Sequence, residues 1–578
     1  MSLGSDILTR MKHHEEVKRD YEPLLEDITK FVNPRRELIK DSQRFDKKGQ
    51  RRGRDVFDGT PNAALGIWRD GMQGFMVSEA LRWFLAEMND HTLNDIDEVR
   101  IFLQDYDEAM YAAFRRSNFY SILPEWFGDA GSVGTAPLFI EEDIGNRATV
   151  HTPIHLREVF IAENRYGEVD ELFRKFFLTA RQAAQMFPKE LLSNGLIANA
   201  ENHPLKMHEF IHAVFPNDEP MFGKITSKNK KYRSVYVETK GASSNSGNEP
   251  SQTSDALFSE GGVKTNDGVV RDSGFDIFPY AVWRFRKNSD EIYGYSPAAD
   301  AIIEIYTLQQ MGKTMLKAAH MSVTPPYNVP EHMRGNVRME PDGYNYFDNS
   351  KNVITPIMTG VNYPIGIDRE ERLTKLIEDK YRVEFFRAFI GSTREKTATE
   401  IIRIQREQAL LLAPQVNRLT TEGLTKVFDI VADIEDKAGR LPELPPILQD
   451  LAEENRERGE ASSIDVRFTG PLVQAQRKLF KLQPIKDGIA ELGQVSVFFP
   501  YIMDRINEGK LSEEILDNSD FPQSIMNSDA EVKALRDERA QQEAQQAAME
   551  QLEKAAEGYK KTTKAPEAGS PAEALVGA

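Results

Sequence analysis

Apolar residues recur every three or four positions over most of this chain and every second position over a stretch in its middle, so the change of period divides the sequence. From Asp6 to Val32, Ile7, Leu8, Met11, Val17, Tyr21, Leu24, Leu25, Ile28 and Phe31 keep helical spacing, which predicts one long amphipathic helix ending before Pro34. "NAALGIWRDGMQGFMVSEALRWF" predicts a second helix, with Ala63, Ala64, Gly71 and Gly74 on a side where another element can approach closely. The stretch from "DIDEVRIFLQDYDEAM" to "GSVGTAPLFIEED" predicts helix, a Gly-rich turn and then an apolar strand.

Between about 148 and 280 the pattern shortens to alternating runs such as "YRSVYVET", which predict strands. Within that region "KGASSNSGNEPSQTSDALFSEGG" has the composition of a mobile loop. Helical spacing returns at "SPAADAIIEIYTLQQMGKTMLKAAHM", with Ser296 as N-cap and Pro297 at the first helical position, and stops near Pro325-Pro326. A turn-rich module follows, then the helical "DREERLTKLIEDKYRVEFFRAFI" and another long helix over "ATEIIRIQREQALLLAPQVNRLTTEGLTKVFDIVADI", expected to kink at Pro414 because proline removes a backbone donor. From Ser528 onward the chain is rich in helix formers and poor in large apolar residues, and it ends in a low-complexity tail.

The 578 residues are 40 % hydrophobic, enough for a large core, and carry a net charge of −18. Tight wrapping of nucleic acid relies on many Lys/Arg–phosphate contacts, so the chain as a whole is not built for it, which leaves room for a local basic surface. The basic run "RRELIKDSQRFDKKGQRRGRD" reads first as a solvated loop and second as a contact with DNA or a capsid partner. Cysteine is absent, which removes disulfides, thiolate nucleophiles and Cys-based metal sites and suits a reducing compartment. The start lacks the apolar core of a signal peptide and no apolar run approaches the ~20 residues of a membrane helix, so the expectation is a soluble protein with no membrane insertion.

Three patterns invite a chemical reading. "HEFIH", His208 to His212, matches H-E-x-x-H, in which helical i,i+4 spacing aims two imidazoles at one zinc ion with Glu209 as general base. Its surroundings alternate instead, and in a strand the two histidines would stand about 13 Å apart at ~3.3 Å per residue. "GSTREKTATE", from Gly391, suggests a phosphate cradle, but a Walker A loop needs glycine directly before the lysine and again five residues earlier, where Glu395 and Ile390 stand. An ATPase centred on Lys396 is therefore the weaker reading. Basic residues near aromatics in "YAVWRFRKN" and "EHMRGNVR" fit either stacking on bases or ordinary strand and loop positions.

The order of helix, turn-rich module, helix, loop and long helix resembles the portal proteins of tailed bacteriophages. Several stretches are similar to the head-to-tail connecting proteins of short-tailed phages: "VFDGTPNAALGIWRDGMQGFMVSEALRWF", "GSVGTAPLFIEED", "FIHAVFP", "FPYAVWRFRKNSDEIYGYSPAADAIIEIYTLQQMGKTMLKAAHMSVTPP" and "KTATEIIRIQREQALLLAPQVNRLTTEGL".

The resemblance implies a mixed α/β, predominantly α-helical portal fold of wing, stem, clip and crown, with twelve copies in a ring around a central channel. By position the wing takes 1–295 and the long helix of 398–450, the stem helices 296–322 and 368–390, and the clip 323–367. A tunnel loop takes 391–397 and a helical crown 451–560, leaving 561–578 as the tail.

The implied role is a conduit for double-stranded DNA at one capsid vertex during packaging and ejection, docking the large terminase and later tail adaptor proteins, beside major capsid and scaffolding proteins. It implies no enzyme and no cofactor, a home in the virion, and assembly in the host cytoplasm. Arg394, Glu395 and Lys396 would face DNA in the tunnel loop, and Arg334 and Arg338 would serve docking in the clip; for the four basic residues, salt bridges between neighbouring subunits are the other reading. The zinc-hydrolase reading of His208, Glu209 and His212 is the alternative.

Overall fold

Proline decides the first break in the chain. Pro23 has no N–H to give to the preceding turn, so the expected single helix is two, α1 (Leu3–Arg19) and α2 (Glu22–Phe31), joined at Asp20-Tyr21. The buried Lys18 at the end of α1 donates to the carbonyls of Leu156 and, at 2.8 Å, Val159, and stands 4.2 Å from the centre of the Phe160 ring.

The structure is a computed structural model, and the residues it describes are 3–36, 53, 55–90, 93–94, 96–143, 145–217, 229–241, 268–323, 327–329, 331, 355–356, 363–390, 411–449, 464–477, 482–496, 506–518 and 529–561. The chain forms two compact units, one of Met1–Leu85, Tyr106–Pro442 and Val466–Ala490, the other of Ala86–Asp105, Glu443–Asp465 and Glu491–Ala578.

In the first unit α3 (Thr60–Met76) ends well short of the helix expected through Phe84. Its successor is β1 (Phe84–Met88), because long-range partners claim the backbone there. The N–H groups of Trp83 and Phe84 donate to the Tyr111 hydroxyl at 2.8 and 2.9 Å, and the Trp83 carbonyl accepts from Thr469 at 2.8 Å. α4 (Asp97–Arg116) and α5 (Phe119–Val133) follow. The Gly-rich stretch expected as a turn is mostly the last turns of α5, closed by Gly134 at φ +78°. Gly134 is required there: a Cβ would lie 2.6 Å from the backbone of Gly294 and Tyr295.

The alternating middle region forms strands, as its period predicts. β2 (Thr135–Asp143), β3 (Ala148–Pro153) and β9 (Tyr280–Arg284) make a three-stranded antiparallel sheet in the order β3-β2-β9. β4 (Val159–Glu163), β5 (Val169–Thr179), β6 (Met207–Pro216), β7 (Tyr232–Gly241) and β8 (Val269–Phe275) make a five-stranded antiparallel meander. Ile7 and Met11 of α1 pack with Phe173, Ile211 and Val235 on the meander. α6 (Ala180–Met186) and α7 (Asn194–Asn202) join a second cluster with Phe176, Phe210 and Tyr236.

The expected Ser296 cap is present, its hydroxyl accepting from Ala299 N–H, but the helix is broken at Ala301 into α8 (Pro297–Asp300) and α9 (Ile302–Val323). β10 (Tyr327–Asn328) pairs antiparallel with β11 (Thr355–Pro356). The next expected helix is also two, α10 (Tyr363–Lys380) and α11 (Val383–Ile390), separated at Arg382, which takes φ +54°. Residues 411–418 are helical on both sides of Pro414, and the departure from α geometry comes later, as a π turn at Leu419–Leu424 before the helix Thr425–Lys437. The Ser/Gly-rich stretch from 242 to 262 and the tail from 562 lie outside the described residues. In the second unit the expected polar helix spans Asp529–Lys561, with Leu535, Met549 and Leu552 exposed. No helix among the described residues is long and apolar enough to cross a membrane.

His151 of β3 is 1 % exposed, between the rings of Phe114 and Phe119, and neither ring nitrogen has a hydrogen-bond partner. Burial pushes its pKa from 6.5 down to about 3. Below pH ~6.5 the unfolded chain therefore binds a proton that the folded one refuses, and stability falls with pH until about 3. In urea titrations, His151→Phe is expected to match the parent at pH 8 within about 1.5 kcal/mol. It should lose less stability on acidification, the difference growing by about 1.4 kcal/mol per pH unit below ~6.5; equal acid sensitivity contradicts this account.

Candidate functional site

The tunnel-loop candidates Arg394, Glu395 and Lys396 and the clip candidates Arg334 and Arg338 lie outside the described residues. What is described is how the elements on either side of them are fixed. On the N-terminal side, α9 is clamped by Gln309, 4 % exposed, whose Oε1 accepts from the N–H groups of Phe57 and Asp58 at 2.7 and 3.1 Å. Its Nε2 donates to the Asp58 carbonyl at 2.8 Å. α10 approaches α9 at Gly366, where a Cβ would stand 2.7 Å from the end of Met315.

α11 is held more deeply. Its Phe386 ring occupies the space a side chain at Gly71 of α3 would need, 2.2 Å from an added Cβ, and stacks on Phe75 with ring centres 6.1 Å apart. The small positions of α3 anticipated this approach. Tyr381, fully buried, donates to the Gly131 carbonyl at 3.1 Å, which fixes the α10–α11 junction against α5.

On the C-terminal side, the π turn is held by a buried guanidinium. Arg284 of β9 is 1 % exposed, and Glu422 accepts from its Nε at 3.1 Å, its NH2 at 2.9 Å and its backbone N–H at 3.1 Å. Arg418 adds a contact to Glu422 at 2.8 Å. Arg284 NH1 pairs with Glu163, which also accepts from Lys287 at 2.8 Å, and Arg284 NH2 donates to the Gly167 carbonyl at 2.8 Å. One guanidinium thus joins the three-stranded sheet, the β4–β5 hairpin and the helix that follows residues 391–410. A π turn often marks where a side chain is re-aimed out of the regular helical ladder.

"YAVWRFRKN" is interior strand as far as Arg284: Trp283, Arg284 and Phe285 are 0, 1 and 2 % exposed, so the ordinary-strand reading holds there and these three residues have no face for bases. "EHMRGNVR" lies outside the described residues beyond Glu331.

"HEFIH" is in β6, as its alternation predicts. His212 is buried, with Nδ1 2.7 Å from the Tyr280 hydroxyl and Nε2 2.9 Å from the Ser234 hydroxyl, and its ring stacks on Tyr236 at 4.0 Å. Burial, with Arg174 and Arg271 adding repulsion, holds its pKa well below the usual range, so it is neutral. His208 Nε2 is 3.2 Å from Asn199 Nδ2, and Glu209 is engaged by Lys175 at 3.4 Å and the Thr239 hydroxyl at 2.7 Å. Each member of the motif has its own structural partner, and among the described residues no three His, Cys, Asp or Glu side chains are placed to hold a metal ion.

The arrangement is that of a scaffold in which a helix pair and the ends of an intervening segment are bolted to an α/β body. Residues 5–250 and 260–526 match the family model described as bacteriophage head to tail connecting protein, and the chain belongs to that family. It is 26 % identical over 564 residues to a portal protein of Salmonella phage epsilon15, covering 96 % of this chain and 94 % of that one. It is 24 % identical over 539 residues to a probable portal protein of Bordetella phage BPP-1, covering 90 % and 89 %.

The Arg284 network was not anticipated from the sequence; the signal was an arginine inside an otherwise apolar strand, which must find acidic partners to be buried. Glu422→Ala is expected to destabilise the protein by about 2–3 kcal/mol, less than the ~3–5 of a buried charge left wholly unpaired, because Glu163 remains. Chemical denaturation checks this, and a loss below about 0.5 kcal/mol contradicts it.

Proposed function

We propose that the chain is the portal of a bacteriophage: twelve copies form a ring around a channel at one capsid vertex, through which double-stranded DNA enters during packaging and leaves during ejection. The observation that carries this reading beyond family membership is the apolar surface of the α9–α10 pair. Ile303, Leu316, Met321 and Val323 of α9 are 76, 51, 48 and 81 % exposed, and Ile367 and Leu376 of α10 are 46 and 39 % exposed. A helix pair clamped at its base yet apolar along its length calls for neighbours, and copies of itself in a ring supply them.

In this reading residues 296–322 and 368–390, most of α8–α9 and of α10–α11, are the stem, and residues 391–397 form the tunnel loop. Arg394 and Lys396 touch phosphates in passing, with Glu395 shortening their hold, so DNA is centred without being gripped. Residues 323–367 are the clip, where Arg334 and Arg338 help dock the large terminase during packaging and tail adaptors afterwards. The crown lies in 451–560, and major capsid and scaffolding proteins surround the ring. The chain then works as a virion component assembled in the host cytoplasm, and the energy for translocation comes from the terminase rather than from Lys396. No observation favours a zinc hydrolase.

Electron microscopy with native mass measurement tests the proposal: rings of twelve with an open channel are expected, and a chain that stays monomeric under all assembly conditions contradicts it. In a packaging reaction, the double variant Arg394→Ala/Lys396→Ala should still form rings but package less DNA; unchanged packaging removes these two residues from the mechanism.

A further inference from the structure

The helices α9 and α10 face each other along one side and present unlike charge on the other. Gly366 of α10 lies against Met315 of α9, and α10 runs back from there to α8 and α3, so the pair is antiparallel. At about 100° per residue, the side of α9 turned away from Met315 holds Tyr306, Gln310, Lys313 and Lys317, all exposed. The side of α10 turned away from Gly366 holds Asp368, Glu371, Lys375 and Asp379, exposed as well.

The charges differ in sign at one height. After Glu304, α9 carries Lys313 and Lys317 and no carboxylate, whereas between Tyr363 and Glu371 α10 carries Asp368, Glu370 and Glu371 against Arg369. Lys313 and Asp368 are level with each other, both two residues below the Gly366–Met315 contact, and at 1.5 Å per residue Lys317 and Glu371 extend the set to about 11 Å along the pair. Lys317, Asp368 and Glu371 have no side-chain partner among the described residues. Lys313 leans on the Phe57 ring, 5.7 Å from its Nζ, within electrostatic reach of Asp55. Lysines and carboxylates thus match in sign and height, but they stand on opposite sides of the pair with two helices, each about 10 Å across, between them. Within one chain they cannot meet.

We infer that α9 of one copy docks on α10 of the next, Lys313 and Lys317 against Asp368 and Glu371, so that the ring closes through a head-to-tail contact of unlike helix faces. The inference rests on the portal reading and names the surface by which its copies meet. A two-fold pairing of α9 with α9 sets lysine against lysine, and of α10 with α10 carboxylate against carboxylate, so a closed dimer through these faces is disfavoured. DNA is the poorer occupant of the lysine face, because Ile303 and Tyr306 on and beside it are 76 and 41 % exposed, and apolar surface of this kind is covered by protein rather than by phosphates. Ion pairs beside such an apolar contact set register and choice of partner more than affinity.

The test is native mass measurement of ring yield for two charge-reversed chains. Lys313→Glu/Lys317→Glu makes both outward faces acidic and Asp368→Lys/Glu371→Lys makes both basic, so each alone should give at least about tenfold fewer rings than the parent. Mixed, the two chains should recover rings holding equal numbers of each, since every contact in an alternating ring is complementary again. The positions are exposed, so each variant should keep the parent's unfolding midpoint. Should a reversal unfold the chain, the milder Lys317→Gln and Asp368→Asn carry the test: each should lower the yield a few-fold at low salt, and both together no further than one. Normal rings from either reversed chain alone, a mixture of folded chains that fails to recover them, or a lysine reversal that spares rings and impairs only DNA passage overturns the inference while the portal reading stands. A parent chain that forms no rings overturns both.

Discussion

A single buried guanidinium sets the terms for the first compact unit. Arg284 has no route to water, so every one of its donors must be met by protein, and it is met by Glu422, Glu163 and two backbone carbonyls, those of Gly167 and Ile292. Taking such an ion pair out of water is expensive, and its return is specificity of arrangement more than net stability. Here the arrangement it specifies is where the helix after residue 410 meets the sheet. Glu422 can satisfy both the side chain and the backbone N–H of Arg284 because the helix departs from α geometry at that turn.

The same contact closes a sheet edge, and it is one of several that do. On β9 the N–H of Arg284 is taken by Glu422. The edge strand β3 meets Asn118, whose side chain accepts from His151 N–H and donates to its carbonyl, both at 2.8 Å. On β4 the carbonyl of Val159 is taken by Lys18 and the N–H of Ile161 by the Tyr293 hydroxyl. Open edges invite unplanned strand pairing, and here the chain closes them with side chains of its own.

Much of this was legible in the sequence. The change from helical to alternating period located the sheets and placed "HEFIH" on a strand, which by itself removed the metal-site geometry. The small residues of α3 announced a close neighbour, found to be Phe386 at Gly71. Ser296 announced its cap. The break at Pro23 was also readable and was outweighed by an unbroken apolar stripe. Other features depend on residues far away in the chain. α3 stops because Tyr111 and Thr469 supply partners for the backbone at Trp83 and Phe84, the α10–α11 junction turns where Tyr381 reaches Gly131, and the π turn answers Arg284. No local propensity encodes such contacts. The candidate basic residues of the loop and clip rest on resemblance and on their place between anchored helices.

The central claim is that the Arg284–Glu422 contact fixes the helix that follows residues 391–410, and amide hydrogen exchange of the full-length protein measures it directly. Replacing Glu422 with Gln should speed exchange across 411–424 and in the hairpin around 163–169, while α3 and α11 keep their protection. Exchange unchanged in 411–424, or raised uniformly through the whole unit, would contradict the claim that this one buried contact holds that helix in place.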